Sequence, residues 1–175
     1  MDVRPLLKLV LNAFLGSSTG LVDMCVEHLP SAAEASKAAT TTAPPDSVLA
    51  RAIERCDAQG PLLIQIAKVY PTSDATEFRA FGRVLSGTVS CGQSVKVLGP
   101  TYTPEDEEDM AVETVSGVYV AEARYAVHAP GVPAGNWVLL SGIDATIAKS
   151  ATVCDTALPV ADTYVLRPIV HMTES

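Results

Sequence analysis

Apolar residues in the first thirty positions recur at helical spacing. Leu6, Val10 and Phe14 share one face at i, i+4 and i+8, and Leu7, Leu11 and Leu15 widen it. A stripe that wide predicts a helix packed against another surface rather than a lone surface helix. The run Gly16–Gly20 interrupts it. Leu21, Val22, Cys25, Val26 and Leu29 then fall on one side of a second helix, which Pro30 ends. Residues 1–30 therefore read as a helical connector. From Ser31 to Thr42 the chain is Ala, Ser and Thr with one Glu and one Lys, and Pro44-Pro45 follows. No apolar period survives there, so residues 31–46 read as a flexible linker. Residues 47–60 hold a third short helix, capped by Asp46 or Ser47, with Leu49, Ala52, Ile53 and Cys56 inside and Gly60-Pro61 as its stop.

Past residue 60 the period changes from helix to strand. Short runs rich in Val, Ile and Leu predict strands at 62–69, 78–89, 94–98, 112–121, 124–127, 136–140, 151–154 and 164–170. Turn residues separate them, at Ser73-Asp74, Cys91-Gly92, Gly99-Pro100, Pro130-Gly131, Pro133 to Asn136 and Gly142. Many short strands without helices between them predict a mainly β fold. A closed antiparallel β-barrel over residues 61–175 is the expected form, because closure removes the edges of so apolar a set of strands.

Composition narrows the function classes. Twenty acidic against twelve basic residues give a net charge of −8, which argues against a non-specific grip on nucleic-acid phosphates. Five of those acids stand in one run, Glu105, Asp106, Glu107, Glu108 and Asp109. The rest of the surface has room for a basic patch. The four cysteines form no C-x-x-C pair, so neither a zinc knuckle nor a thioredoxin-like site is indicated, and a reducing, intracellular setting is expected. The apolar run 5–15 is broken by Lys8 and Asn12 and falls short of the ~20 residues a bilayer span needs. It also lacks the basic leader and clean cleavage site of a signal peptide. No membrane association is expected.

Few residues suggest chemistry. Gly16–Gly20 precedes a helix as a phosphate cradle does, but no Lys follows the second Gly, and the run reads as an interhelix turn. Contiguous acids do not provide the alternate ligand spacing of a calcium loop; Glu105–Asp109 reads as a solvated loop that presents charge to a partner. Arg79, Phe81 and Arg83 alternate along a predicted strand and so share one face. A basic–aromatic–basic stripe suits partner binding, including RNA, though a half-buried Phe with arginines snorkelling around it explains the same pattern. His28, His128 and His171 have no i+4 partners, so no metal site or catalytic triad is signalled. Trp137, with apolar neighbours, reads as core. No catalytic, cofactor or metal residue is indicated.

Phe78–Val89 followed by Gly92–Pro100 resembles the second domain of elongation factor 2 and its relatives, a β-barrel that follows a GTPase domain. Cys56–Pro61 ahead of it and Val132–Asn136 behind it fit the same family in the same order. Tyr102–Asp109 with its acidic run, Ala123-Arg-Tyr125 and Gly135–Leu139 are similar to the elongation-factor-2-like GTPases of the spliceosomal U5 small nuclear ribonucleoprotein. Arg4–Val10 and Thr19–Cys25 resemble the segment after the GTPase domain in that branch, and Arg167-Pro168 its exit toward a further domain.

The resemblance implies a non-catalytic domain of a nuclear protein of pre-mRNA splicing. Its expected partners are the U5 scaffold protein and the GTPase domain of its own parent chain, with U5 snRNA nearby. GTP and magnesium belong by resemblance to that GTPase domain; the P-loop, magnesium-binding switch and N-K-x-D that would hold them have no counterpart in this chain, and no cofactor is expected here. Arg79, Phe81, Arg83 and the acids 105–109 are the expected partner-binding residues. Two alternatives are the second domain of ribosomal elongation factor 2, against which the acidic run and Gly135-Asn-Trp-Val argue, and an unrelated ligand-binding or enzymatic barrel, for which no spacing gathers titratable residues.

Overall fold

Strand alternation explains most of the architecture. The computed structural model describes residues 3–16, 19–39, 47–72, 74–105 and 107–159. The predicted strand at 164–170, the Arg167-Pro168 exit and His171 lie outside them. The chain divides into two compact units, Met1–Ser31 and Ala32–Ser175.

In the first unit, α1 (Val3–Leu15) and α2 (Thr19–His28) follow the predicted helices. Neither buries a residue, and Phe14 stays 84% exposed. The expectation that the first helix is covered is therefore not met within this unit, because two short helices offer each other too little surface to bury so wide a stripe. Among the described residues no single helix is long and apolar enough to cross a membrane.

The second unit opens with α3 (Ala32–Ala39), where a flexible linker is expected. Alanine has the highest helix propensity and needs no apolar period to stay helical. Glu34 in the first turn and Lys37 in the last also suit the helix dipole. Ser36 is fully buried, and its hydroxyl donates to the Ala32 carbonyl at 2.8 Å. The linker reading thus fails for residues 32–39, while 40–46 lie outside the described residues. Next comes α4 (Val48–Glu54), capped by the Ser47 hydroxyl, which accepts from the Ala50 N–H at 2.9 Å.

Among the described residues ten strands follow: β1 (Leu63–Pro71), β2 (Phe78–Ser86), β3 (Thr88–Ser90), β4 (Ser94–Leu98), β5 (Met110–Thr114), β6 (Gly117–Glu122), β7 (Tyr125–His128), β8 (Gly131–Pro133), β9 (Trp137–Ser141) and β10 (Ala151–Asp155). Two predicted strands are split. Gly87, at φ +77°, breaks 78–89 into β2 and β3, and any side chain there would strike the Leu62 backbone. The stretch 112–121 bends at Val115-Ser116 into β5 and β6. Gly131–Pro133, expected as part of the turns, is instead the strand β8 that pairs with β3.

Eight strands form one antiparallel sheet in the order β5-β4-β10-β1-β2-β9-β6-β7. The expected hydrogen-bonded closure is absent: no ladder joins β5 to β7 among the described residues. The bend between β5 and β6 takes over part of that task. Val115 N–H donates to the Gln93 carbonyl next to β4, and Ser116 N–H donates to the Ser141 carbonyl of β9. One continuous piece of chain therefore leaves one end of the sheet and enters near the other, as a corner rather than a ladder.

Alternate residues of the strands fill the interior. Ile64, Ile66, Val84, Val97, Val138 and Val153 all belong to one buried cluster. A second cluster lies on the opposite side of the same strands, where Leu49 and Ile53 of α4 meet Leu63, Leu85, Leu98 and Cys154. Beneath the helix the sheet is thus buried on both faces, which explains the unbroken apolar pairs Leu63-Ile64 and Val84-Leu85. Burial pushes the Cys154 thiol up to about 11, with Lys96 opposing the shift.

Two outcomes follow for the fold. A chain lacking residues 1–31 should still unfold in one cooperative transition, since both clusters lie outside that unit; loss of cooperativity in a thermal melt would refute this. The neutral Cys154 thiol contributes stability that is complete below its ordinary value of 9.0 and is lost as pH rises through about 11. Urea titrations should therefore show the wild type losing its advantage over Cys154→Ala across that window.

Candidate functional site

The outward face of β2 carries Arg79, Phe81 and Arg83, each half-buried, with Ala80, Gly82 and Val84 turned inward. Their shared face follows from the two-residue period. What lies beside them depends on a bulge. Pairing between β1 and β2 slips between Ile66 and Lys68, so Ala67 has no partner in the register. Ile64 and Ile66 point inward before the slip and Val69 after it, which turns Lys68 and Tyr70 outward. Lys68 then sits opposite Phe81, and Tyr70 opposite Arg79. On the other flank β9 sets Leu139 opposite Phe81 and Trp137 opposite Arg83.

These pairings assemble an aromatic surface. Phe81 stacks on Trp137 with centroids 4.9 Å apart and planes 8° from parallel, and Tyr70 meets the Phe81 ring edge-on at 5.8 Å. Each such contact contributes about 0.5–1.5 kcal/mol beyond burial. Arg79 lies over the Tyr119 ring of β6 at 4.4 Å, and Tyr119 meets His128 of β7 edge-on at 5.6 Å. Toward α3 the face closes: an Nη of Arg83 donates to the Ala32 carbonyl at 3.3 Å. Toward β7 it opens into a cleft of about 500 Å³, bordered by Tyr70, Arg79, Phe81, Arg124, Tyr125 and Leu139 among others.

Trp137 is 47% exposed and belongs to this face rather than to the core. Its apolar neighbours Val138 and Leu140 point into the core, so the pleat turns Trp137 outward. Sequence reasoning missed Tyr70, Tyr119 and Trp137 as members of the face. The alternation in Val118-Tyr-Val120 was a usable signal for Tyr119, whereas Tyr70 depends on the bulge.

The acidic run sits elsewhere, in the connection between β4 and β5, and two strands separate β4 from β2 in the sheet order. Its members differ. Asp106 lies outside the described residues, and Glu107 begins a short 3-10 turn that ends at Asp109. Glu105 and Glu108 are exposed. Asp109 is turned back into the fold: its carboxylate accepts from the Thr101 N–H at 2.9 Å and from the Thr101 hydroxyl at 2.6 Å. Its carbonyl also accepts from the Gly99 N–H, and a side chain at Gly99 would occupy the space of that carboxylate. Glycine at 99 and aspartate at 109 are thus one unit. Among the described residues no group of three or more His, Cys, Asp or Glu could hold a metal ion.

Residues 78–154, which run from the start of β2 into β10, match the family described as Elongation factor Tu domain 2. This central stretch is thus similar to an elongation factor Tu domain 2. Relatives extend well beyond it. Over 172 residues, 97% of this chain, it is 42% identical to the 109 kDa U5 small nuclear ribonucleoprotein component GFL of Arabidopsis thaliana, of which it covers 18%. The 110 kDa U5 small nuclear ribonucleoprotein component CLO of the same plant is also 42% identical over 97% of the chain and 17% of that protein. Pre-mRNA-splicing factor cwf10 of Schizosaccharomyces pombe is 43% identical over the whole chain and 18% of its own length. The chain therefore spans under a fifth of the curated relatives it matches. Within the matched residues β2, β6 and β9 contribute to the aromatic–guanidinium face, while α3, α4 and β1 precede them.

Within the acidic run, Asp109→Ala should cost about 1–3 kcal/mol, since a half-buried charged acceptor is lost, while Glu105→Ala should stay within about 0.5 kcal/mol. Urea denaturation of the two variants distinguishes this from a run in which all acids serve solubility equally.

Proposed function

We propose that this chain is the domain 2 portion, with its helical lead-in, of a U5 small nuclear ribonucleoprotein GTPase acting in pre-mRNA splicing. The observation that carries the reading is the reach of the similarity. Alignments that are 42–43% identical overall extend past the matched residues to take in α1 and α2, and the two plant relatives and the fission-yeast one are U5 components and a splicing factor by name. A domain shared only with translation factors at large would be expected to lose its alignment at the domain boundary. Ribosomal elongation is accordingly the weaker reading.

In this reading the portion acts within a nuclear ribonucleoprotein complex and does no chemistry of its own. Its outward face is made of rings and guanidinium groups, which bind rather than transfer protons. GTP and magnesium would be held by a GTPase domain elsewhere in the parent protein; Gly16–Gly20 lacks the lysine of a phosphate cradle. A sheet with a continuous core moves as a rigid body, so a change at a neighbouring GTPase domain would be relayed by rotation of the whole unit against the U5 scaffold protein, with U5 snRNA close by.

Affinity capture from nuclear extract on the immobilised chain, with and without RNase, tests the reading by mass spectrometry. U5 proteins should be enriched and should survive RNase. Enrichment of ribosomal proteins instead would favour the translation reading and sink this one.

A further inference from the structure

Cations gather on one face of a chain whose net charge is −8, and most of them stand without a carboxylate. Among the described residues, Lys68, Arg79 and Arg124 make no ion pair. Each lies against a ring instead: Lys68 by Tyr70 at 5.4 Å, Arg79 by Tyr119 at 4.4 Å and Arg124 by Tyr125 at 5.5 Å. The Nε of Arg79 is buried without a hydrogen-bond acceptor. Arg79 and Arg124 both line the 500 Å³ cleft, whose other walls include the small residues Ala121 and Ala126. Beside it, β7 ends the sheet and pairs only with β6, so its second edge has no strand alongside among the described residues.

We propose that an extended peptide with carboxylates on alternate residues adds to the free edge of β7 and lays its acidic side chains in the cleft against Arg79 and Arg124. Main-chain groups of the edge would supply the ladder, and the two-residue period would place residues i and i+2 on the cleft side. The guanidinium groups, already oriented by their rings, would gain charge-assisted hydrogen bonds. A nucleic-acid strand fits less well. Its sugar–phosphate backbone has no N–H with which to continue a ladder.

The inference does not depend on the splicing reading, since it concerns the free edge and cleft of this chain alone. Selection of phage-displayed random ten-residue peptides on the 175-residue chain tests it. Enriched sequences should carry Asp or Glu at i and i+2, and a synthetic peptide of the winning sequence should protect the amides of residues 125–128 from hydrogen exchange. Binding should weaken at least tenfold with Arg124→Ala and again with Arg79→Ala, while Arg124→Lys keeps part of it; thermal melts would establish that each variant is folded. Selected peptides without acids, no enrichment at all, unchanged exchange in β7, or displacement by oligouridylate at lower concentration than by the acidic peptide would each overturn the proposal. Capture of U5 proteins could still succeed after such a failure, and the reverse holds equally.

Discussion

Strand β2 must satisfy two environments at once, and the pleat that separates them organises the second unit. Its inward residues are small or β-branched: Ala80 faces Val69 across the ladder, Gly82 faces Ile66, and Val84 faces Ile64. Gly82 has no freedom to be larger, because a Cβ there would stand 2.5 Å from the Gln65 carbonyl oxygen and 2.7 Å from Ile66. Every outward residue is large. Along that face the surroundings grade from Leu85 beneath α4, through Arg83 against α3, to Phe81 and Arg79 at the open cleft. The two helices before the sheet therefore decide how much of the outer face remains available to a partner.

Sheet edges are handled differently at the two ends. The bend at Val115-Ser116 hydrogen-bonds toward β4 on one side and β9 on the other, so much of the curvature is held without a closing ladder. This leaves β5 and β7 as end strands. An open edge is normally a hazard, which proteins limit by keeping such strands short and twisted. Both follow that rule, with five and four residues. At β7 the edge adjoins the cationic and aromatic side chains that line the cleft.

Charge is distributed by function rather than evenly. Asp109 is turned back into the fold, while Asp74 is exposed and braces the β1–β2 turn: hydrogen bonds, first from the Thr72 hydroxyl and then from Thr76, hold its carboxyl below the usual value. Other acids such as Glu105 stand exposed. The cations of the open face lie against rings, which contribute about 0.5–1 kcal/mol each at exposed sites. Such contacts orient a guanidinium without neutralising it. A binding surface benefits from that arrangement, because its charge stays available to an incoming group.

Local chemistry by itself determined a great deal here. Apolar spacing located α1, α2 and α4; β-branched runs and Gly or Pro punctuation located most strands; and alternation put Arg79, Phe81 and Arg83 on one face. These features depend on periods of two or 3.6 residues and on single-residue conformational preferences, all readable within a short window. Other features required the folded chain. The helix α3 has propensity without pattern. The split at Gly87 reflects the closeness of Leu62, and β8 exists because β3 lies beside it. The outward turn of Tyr70 depends on a one-residue slip against β2, and Trp137 is exposed because Val138 and Leu140 claim the interior. In each case the deciding partner is distant in sequence, and a register error of one residue exchanges core for surface.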